Sequence, residues 1–121
     1  MFSCREESVS RPLYEAKAEF FRTLGHPARI RVLELLSERD HAVHELLAEI
    51  DIEPSNLSHQ LATLRRTGLV DHERRDGEVI YRIAAPEIRE LLVAARAVLL
   101  DVINEQMGLR RRLHAPTRAR T

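Results

Sequence analysis

A chain of 121 residues, 44% hydrophobic and 31% charged, suits one globular domain with a modest core that a partner subunit would help to cover. The single cysteine, Cys4, excludes an internal disulfide and a paired-thiolate metal clamp and fits a reducing compartment. No apolar run approaches the ~20 residues that span a bilayer, and the opening MFSCREES lacks the apolar core of a leader, so no membrane partner and a cytoplasmic location are expected.

Net charge is zero, but the distribution is uneven. All 19 acidic residues lie at or before Glu105, whereas Arg110, Arg111, Arg112, Arg118 and Arg120 follow without an acid. The first 108 residues therefore carry 14 basic against 19 acidic side chains, an acidic body with a basic tail. Lys17 is the one lysine, so the other cations are planar arginine forks suited to phosphate or carboxylate.

Residues 1–11 are polar and aperiodic, and a flexible segment is expected there. Pro12 opens a first helix in which Leu13, Ala16, Phe20 and Leu24 keep helical spacing and Phe21 widens the stripe. Gly25-His26-Pro27 breaks it, and Pro27 starts a second helix with Ile30, Val32, Leu33, Leu35 and Leu36 directed to a core. The expected role of this helix is scaffold. Asp40 is placed to cap a third helix, HAVHELLAEI, whose Val43, Leu46, Leu47 and Ile50 form its inner face.

Asp51-Ile52-Glu53 then forms a tight link to the stretch EPSNLSHQLATLRRTGLV. Pro54 suits the first helical position, Glu53 before it can offer a carboxylate to free N–H groups, and Gly68 supplies a left-handed stop. Between them Leu57, Leu61 and Leu64 make one narrow apolar stripe, while Ser55, His59, Ala62, Thr63 and Arg66 point away from it. Hydroxyls, amides, an imidazole and a guanidinium on a slim helix are the groups that bind base edges and phosphates in a major groove. Two short helices joined tightly, the second with a polar outer face, make a helix-turn-helix. The expected DNA-binding residues of this helix are Ser55, Asn56, Ser58, His59, Gln60, Thr63 and Arg66.

After Gly68 the period changes to alternation. Val70, His72 and Arg74 alternate with Asp71, Glu73 and Arg75; Asp76-Gly77 offers a two-residue turn; and Val79, Tyr81 and Ile83 alternate with Ile80 and Arg82. A hairpin directly after a recognition helix is a wing. Arg74 and Arg75 beside its tip are placed either to reach a phosphate backbone or minor groove, or to neutralise Glu73, Asp76 and Glu78 in exposed pairs.

Pro86 opens a last long helix, expected to run to about Met107 with Gly108 as its stop. Residues 91–100 hold one charge in ten, and a helix apolar nearly all round must be covered all round. A second subunit is the expected cover, with Leu13, Phe20, Leu91, Val98, Leu99 and Val102 at a homodimer interface. Residues 108–121 form a basic tail with no core pattern; an arm for phosphate contacts, a neutraliser of the acidic body and an inert extension all fit it. The expected organisation is thus a flexible segment over 1–11, one domain over 12–107 and a flexible tail over 108–121.

The phrase LGHPARIRVLELL, together with Ser55-Asn56-Leu57-Ser58-His59-Gln60-Leu61, Leu64-Arg65 and Gly68-Leu69-Val70, resembles the ArsR/SmtB family of small bacterial transcription regulators over about residues 13–106. The resemblance implies a mainly α fold with a small β-hairpin, a winged helix-turn-helix dimerising through its N- and C-terminal helices. It further implies sequence-specific binding of double-stranded DNA, and two copies would meet a near-palindromic operator. Family members often respond to a metal ion. A cysteine-pair site on the third helix is replaced here by Ala42-Val43-His44, and the Asp-His-His-Glu site of the last helix falls on Ala85, Glu87, Val98 and Asp101.

The residues themselves leave one weaker metal candidate. His41, His44 and Glu45 are spaced to share a helix face, an N/O donor set suited to Ni(II) or Zn(II) with help from Cys4 or its neighbours; solvated or capping histidines are the plain alternative. No Gly-rich phosphate loop, nucleophile elbow or paired carboxylates across a cleft argues for an enzyme. The rival reading is a winged-helix dimer that binds protein, or that regulates without an effector.

Overall fold

The computed structural model describes residues 11–114, and side chains over residues 11–108. Cys4, the remainder of the N-terminal segment and the cationic side chains of the tail lie outside the described residues. The chain divides after Ala85 into two units.

The first unit begins with α1 (Leu13–Leu24), capped by Pro12. The guanidinium of Arg11, the last residue of the expected flexible segment, contacts Glu19 at 2.8 Å and Glu15 at 4.0 Å. α2 (Pro27–Glu38) starts on His26, whose Nδ1 accepts the Ala28 N–H at 3.1 Å, and its Val32, Leu33, Leu35 and Leu36 are buried. A two-residue strand, β1 (His41–Ala42), precedes α3 (Val43–Glu49). α4 (Pro54–Arg66) completes the helix-turn-helix, and β2 (Val70–Arg75) and β3 (Glu78–Ile83) form the wing.

The sheet is antiparallel in the order β1-β3-β2, so the hairpin is joined by a third strand that alternation over two residues does not reveal. His41 pairs with Tyr81 and Ala42 with Ile80. That pairing displaces the start of the third helix from the expected Asp40 cap. The helix instead begins at Val43, and Glu45 reaches back so that its Oε1 accepts the Ala42 N–H at 2.8 Å, satisfying one of the orphan donors of the first turn. Asp40 contributes its carbonyl oxygen to Arg39 and caps nothing.

The core of this unit lies between α2, α3, α4 and the sheet: Val32, Leu33, Leu36, Leu46, Leu57, Leu61 and Leu64 are each at most 1% exposed. Tyr81 on β3 closes it, with the His72 ring stacked on its other face at a centroid distance of 5.2 Å.

The second unit is one helix, α5 (Glu87–His114). It does not stop at Gly108, and the expected boundary between 107 and 108 is not a helix end. A glycine inside a helix loses only about 1 kcal/mol relative to alanine, and Gly108 is not among the glycines with positive φ, so the chain passes through it helically. Val93, Val98, Leu99, Leu100, Val102, Ile103 and Met107 on this helix are exposed. Among the described residues no helix is long and apolar enough to cross a membrane.

Candidate nucleic-acid interface

The helix that displays the polar face is held at both ends by its own sequence. Pro54 occupies its first turn, and the Glu53 carbonyl accepts the Leu57 N–H at 2.9 Å. The Glu53 carboxylate makes no capping bond, contrary to expectation. At the other end Gly68 sits at φ 82°, its N–H donates to the Arg65 carbonyl at 3.0 Å, and the Leu69 N–H donates to the Leu64 carbonyl at 3.0 Å. This is the doubly bonded left-handed cap, and it carries its usual apolar pair, since Leu64 and Leu69 are both buried. The cap turns the chain into β2, so the end of the helix and the root of the wing are one piece of geometry. The Ala84 N–H closes the base of the hairpin on the Leu69 carbonyl at 3.0 Å.

Around α4 the two faces separate sharply. Leu57 and Leu61 are 1% exposed and Leu64 is 0% exposed, while Ser55, Asn56, Ser58, His59 and Arg66 are open to solvent. Thr63 is half-buried; its hydroxyl donates to the His59 carbonyl at 3.2 Å and accepts from Arg66 at 3.2 Å, which steers that guanidinium along the helix.

Gln60 is the correction on this face. It is 4% exposed and turned inward, where its Oε1 accepts from Arg29 Nε at 2.7 Å and its Nε2 donates to Asn56 Oδ1 at 2.9 Å. Arg29 also donates to the Thr23 carbonyl at 2.9 Å. A buried amide needs its hydrogen bonds, and here Arg29 of α2 and Asn56 of α4 supply them, so both ends of the Gln60 amide, expected to face outward to DNA, are engaged within the protein. Arg29, on the helix whose expected role is scaffold, thereby reaches the polar side chains of α4. Its position in the first turn of α2 has no periodic signal that could have pointed to Gln60, 31 residues away. Beside it a cleft of about 510 Å³ opens between Glu19, Arg22, Thr23, Gly25, His26 and Arg29.

The wing turn is as the sequence indicates. Asp76 and Gly77 take φ 53° and 81°, Arg75 pairs with Glu78 across them, and the two positive values match the right-handed twist of the strands. The two wing arginines differ. Arg75 is bound to the Glu73 carboxylate, which also meets Arg82 at 3.1 Å; Arg82 in turn reaches Asp71 at 3.2 Å. Arg75 foremost, and Arg82 behind it, hold the Glu73 carboxyl below the ordinary glutamate range, and Glu73 raises Arg75. Arg74 makes no ion pair among the described residues; its guanidinium folds over the turn to the Gly77 carbonyl at 3.3 Å. Of the two, Arg74 is the cation not held by a carboxylate among the described residues.

The metal candidate is not assembled. His41 is 3% exposed in β1, and its Nδ1 lies 2.9 Å from the Arg39 carbonyl. His44 stands on α3, exposed, with Nδ1 3.7 Å from Glu78. The Glu45 carboxylate is engaged by the Ala42 N–H and Arg39, which together lower its pKa. The shared helix face that would have brought the three together does not exist, because one of them belongs to a strand. Among the described residues no group of three His, Cys, Asp or Glu side chains converges as a metal site.

Of the expected dimer residues, Leu13 is 68% exposed, Val98 61%, Leu99 58% and Val102 45%, whereas Phe20 and Leu91 are half-buried.

Comparison with known proteins agrees with this geometry. Residues 26–72, which span α2, the helix-turn-helix and the first residues of β2, match the family model described as bacterial regulatory protein, arsR family. The HTH-type transcriptional regulator Rv0081 of Mycobacterium tuberculosis is 54% identical over 107 residues, covering 88% of this chain and 94% of that one. The crystal structure of M. tuberculosis Rv0081 superposes with a TM-score of 0.76 at 56% identity, over 82% of this chain and 100% of that one. The biofilm growth-associated repressor of Agrobacterium fabrum is 37% identical over 81 residues, 67% of this chain and 69% of that one. In fold alone, the homodimeric winged helix-turn-helix DNA-binding domain Mb0332 of Mycobacterium bovis is similar, with a TM-score of 0.69 at 23% identity over 86% of this chain and 93% of that one. A helix-turn-helix with a hydrophilic second helix, a wing rooted in that helix's cap and close relatives along nearly its whole length make one conclusion: the chain belongs to the ArsR/SmtB family of DNA-binding winged helix-turn-helix transcriptional regulators, which are not enzymes.

Proposed function

We propose that the protein acts as a homodimer on a near-palindromic operator, with one α4 per half-site and Arg74 of each wing on the flanking backbone. The observation that carries the reading is the division of α4 into a leucine face at most 1% exposed and an outer face of Ser55, Asn56, Ser58, His59 and Arg66. A helix anchored by three buried leucines holds its polar side chains in fixed register, and fixed register is what base readout requires. Dimerisation is supported by the apolar side chains that α5 leaves exposed along its length, Val98, Leu99 and Val102 among them, and by the homodimeric state of the Mb0332 domain. Exposed apolar surface of this extent on a soluble chain is normally covered by a partner, and a two-fold axis would set two recognition helices about one turn of duplex, ~34 Å, apart.

Two measurements test the proposal. A duplex from the gene's own upstream region should be retarded in a gel, with affinity falling steeply as salt rises, and Ser58→Ala or Arg66→Ala should abolish the shift. Light scattering should give twice the chain mass for the wild type and the chain mass for Val98→Glu/Leu99→Glu. A monomeric wild type that still binds one duplex with two-fold footprints, or a protein partner captured without salt dependence in place of DNA, would overturn it.

A further inference from the structure

A part-buried chain of two bonds, from α2 to α4 and then along α4, fixes which way an exposed amide faces. Arginine has only donors, so the bond of 2.7 Å from Arg29 Nε can end only on the oxygen of Gln60. The nitrogen of Gln60 is then the group that approaches Asn56 at 2.9 Å, and a nitrogen donor requires the oxygen of Asn56 there. The Asn56 side chain has no other hydrogen bond among the described residues, and it lies exposed on the first full turn of α4. What it presents outward is therefore its NH2 group.

We infer that Arg29 and Gln60 are positioning residues that lock Asn56 as a hydrogen-bond donor toward DNA, so that it contacts an acceptor rather than pairing with an adenine edge. Bidentate recognition of adenine needs the amide oxygen to face the base beside the nitrogen, and here the oxygen is turned inward to Gln60. The acceptors that remain are N7 of either purine, O6 of guanine, O4 of thymine and a phosphate oxygen, all of one chemistry. The inference rests on the reading of α4 as the recognition helix. It goes further in giving one side chain of that helix a polarity, set by a residue of another helix.

Replacing Gln60 by glutamate tests this directly. A carboxylate still accepts from Arg29 but cannot donate, so Asn56 must turn its NH2 inward and its oxygen outward. In the free full-length protein, amide NMR should show a slowly exchanging Gln60 side-chain proton in the wild type and freely exchanging Asn56 protons; in Gln60→Glu an Asn56 proton should become protected. This arm needs no DNA, and a Gln60 amide exchanging like free glutamine overturns the inference.

In the second arm, wild type, Gln60→Glu, Asn56→Ala and the double variant each select duplexes from a random pool and are titrated with the wild-type consensus. Gln60→Glu should weaken binding roughly tenfold, the loss expected for one good contact. It should cost nothing further once Asn56 is alanine, which separates an effect through Asn56 from general damage. A base contact would also change one consensus position toward a donor-bearing base, whereas a phosphate contact would lower affinity without changing the consensus. Equal weakening of wild type and Asn56→Ala by Gln60→Glu would overturn the inference. Failure of the wild type to select any sequence would overturn the operator proposal instead, and the exchange arm would still decide the orientation of Asn56.

Discussion

Leu61 and His59 lie two residues apart on the same helix, and substituting each with alanine should produce opposite phenotypes. Leu61 is 1% exposed between Leu57 and Leu64, which are themselves 1% and 0% exposed. Truncating it removes apolar burial of about 2 kcal/mol, and the cavity left among side chains already close-packed raises the loss to about 3–4 kcal/mol. A domain of this size has a total stability of ~5–15 kcal/mol, so the melting temperature should fall by roughly 10 °C or more. His59→Ala touches no packed surface and should stay within ~0.5 kcal/mol of the wild type. Urea and thermal unfolding at one fixed protein concentration, which holds any dimer contribution constant, measure the first effect. Retardation of the upstream duplex, at a temperature where both variants are fully folded, measures the second: Leu61→Ala should bind nearly as the wild type does and His59→Ala should not. A Leu61→Ala variant within about 1 kcal/mol of the wild type, or a folded one that has lost DNA while His59→Ala keeps it, would refute the assignment of faces.

Gly68→Ala places a Cβ in open space but at φ 82°, so the whole effect should be conformational, a loss of about 1 kcal/mol in a urea melt; a loss several times larger would mean that the cap is closed by packing. Arg74→Ala should weaken DNA binding uniformly across sequences and lower the slope of log affinity against log salt by about 1, while Arg75→Ala, whose guanidinium is held by Glu73, should change that slope less; titrations at several salt concentrations compare them. Glu45 has a folded pKa lowered first by the Ala42 N–H and then by Arg39, so its contribution is complete above the ordinary glutamate value of ~4.3 and is lost as pH falls through the lower folded value. The stability gap between wild type and Glu45→Ala should accordingly be constant near neutrality and close in acid, and a gap that widens as pH falls would contradict the capping role.

The features legible in the sequence were those fixed by neighbours in the chain. Pro54 and Gly68 bound α4 because one lacks an N–H where none is needed and the other reaches a positive φ without strain. Asp76-Gly77 sets the wing register for the same local reason, and the leucine spacing separates the anchored face of α4 from the open one. What only the tertiary structure decided depends on partners remote in the sequence. His41 and Ala42 are strand because β3 lies beside them, and that pairing shortens α3 and disperses the histidines and carboxylate that spacing had grouped. Gln60, expected among the DNA-binding amides, falls at the edge of the leucine stripe, three residues after Leu57 and four before Leu64, and it is buried there because Arg29, on another helix, offers a charged donor that repays its desolvation. Periodicity assigns a residue to a face of its own element; whether that face meets water or another element's side chain is settled only when the elements pack.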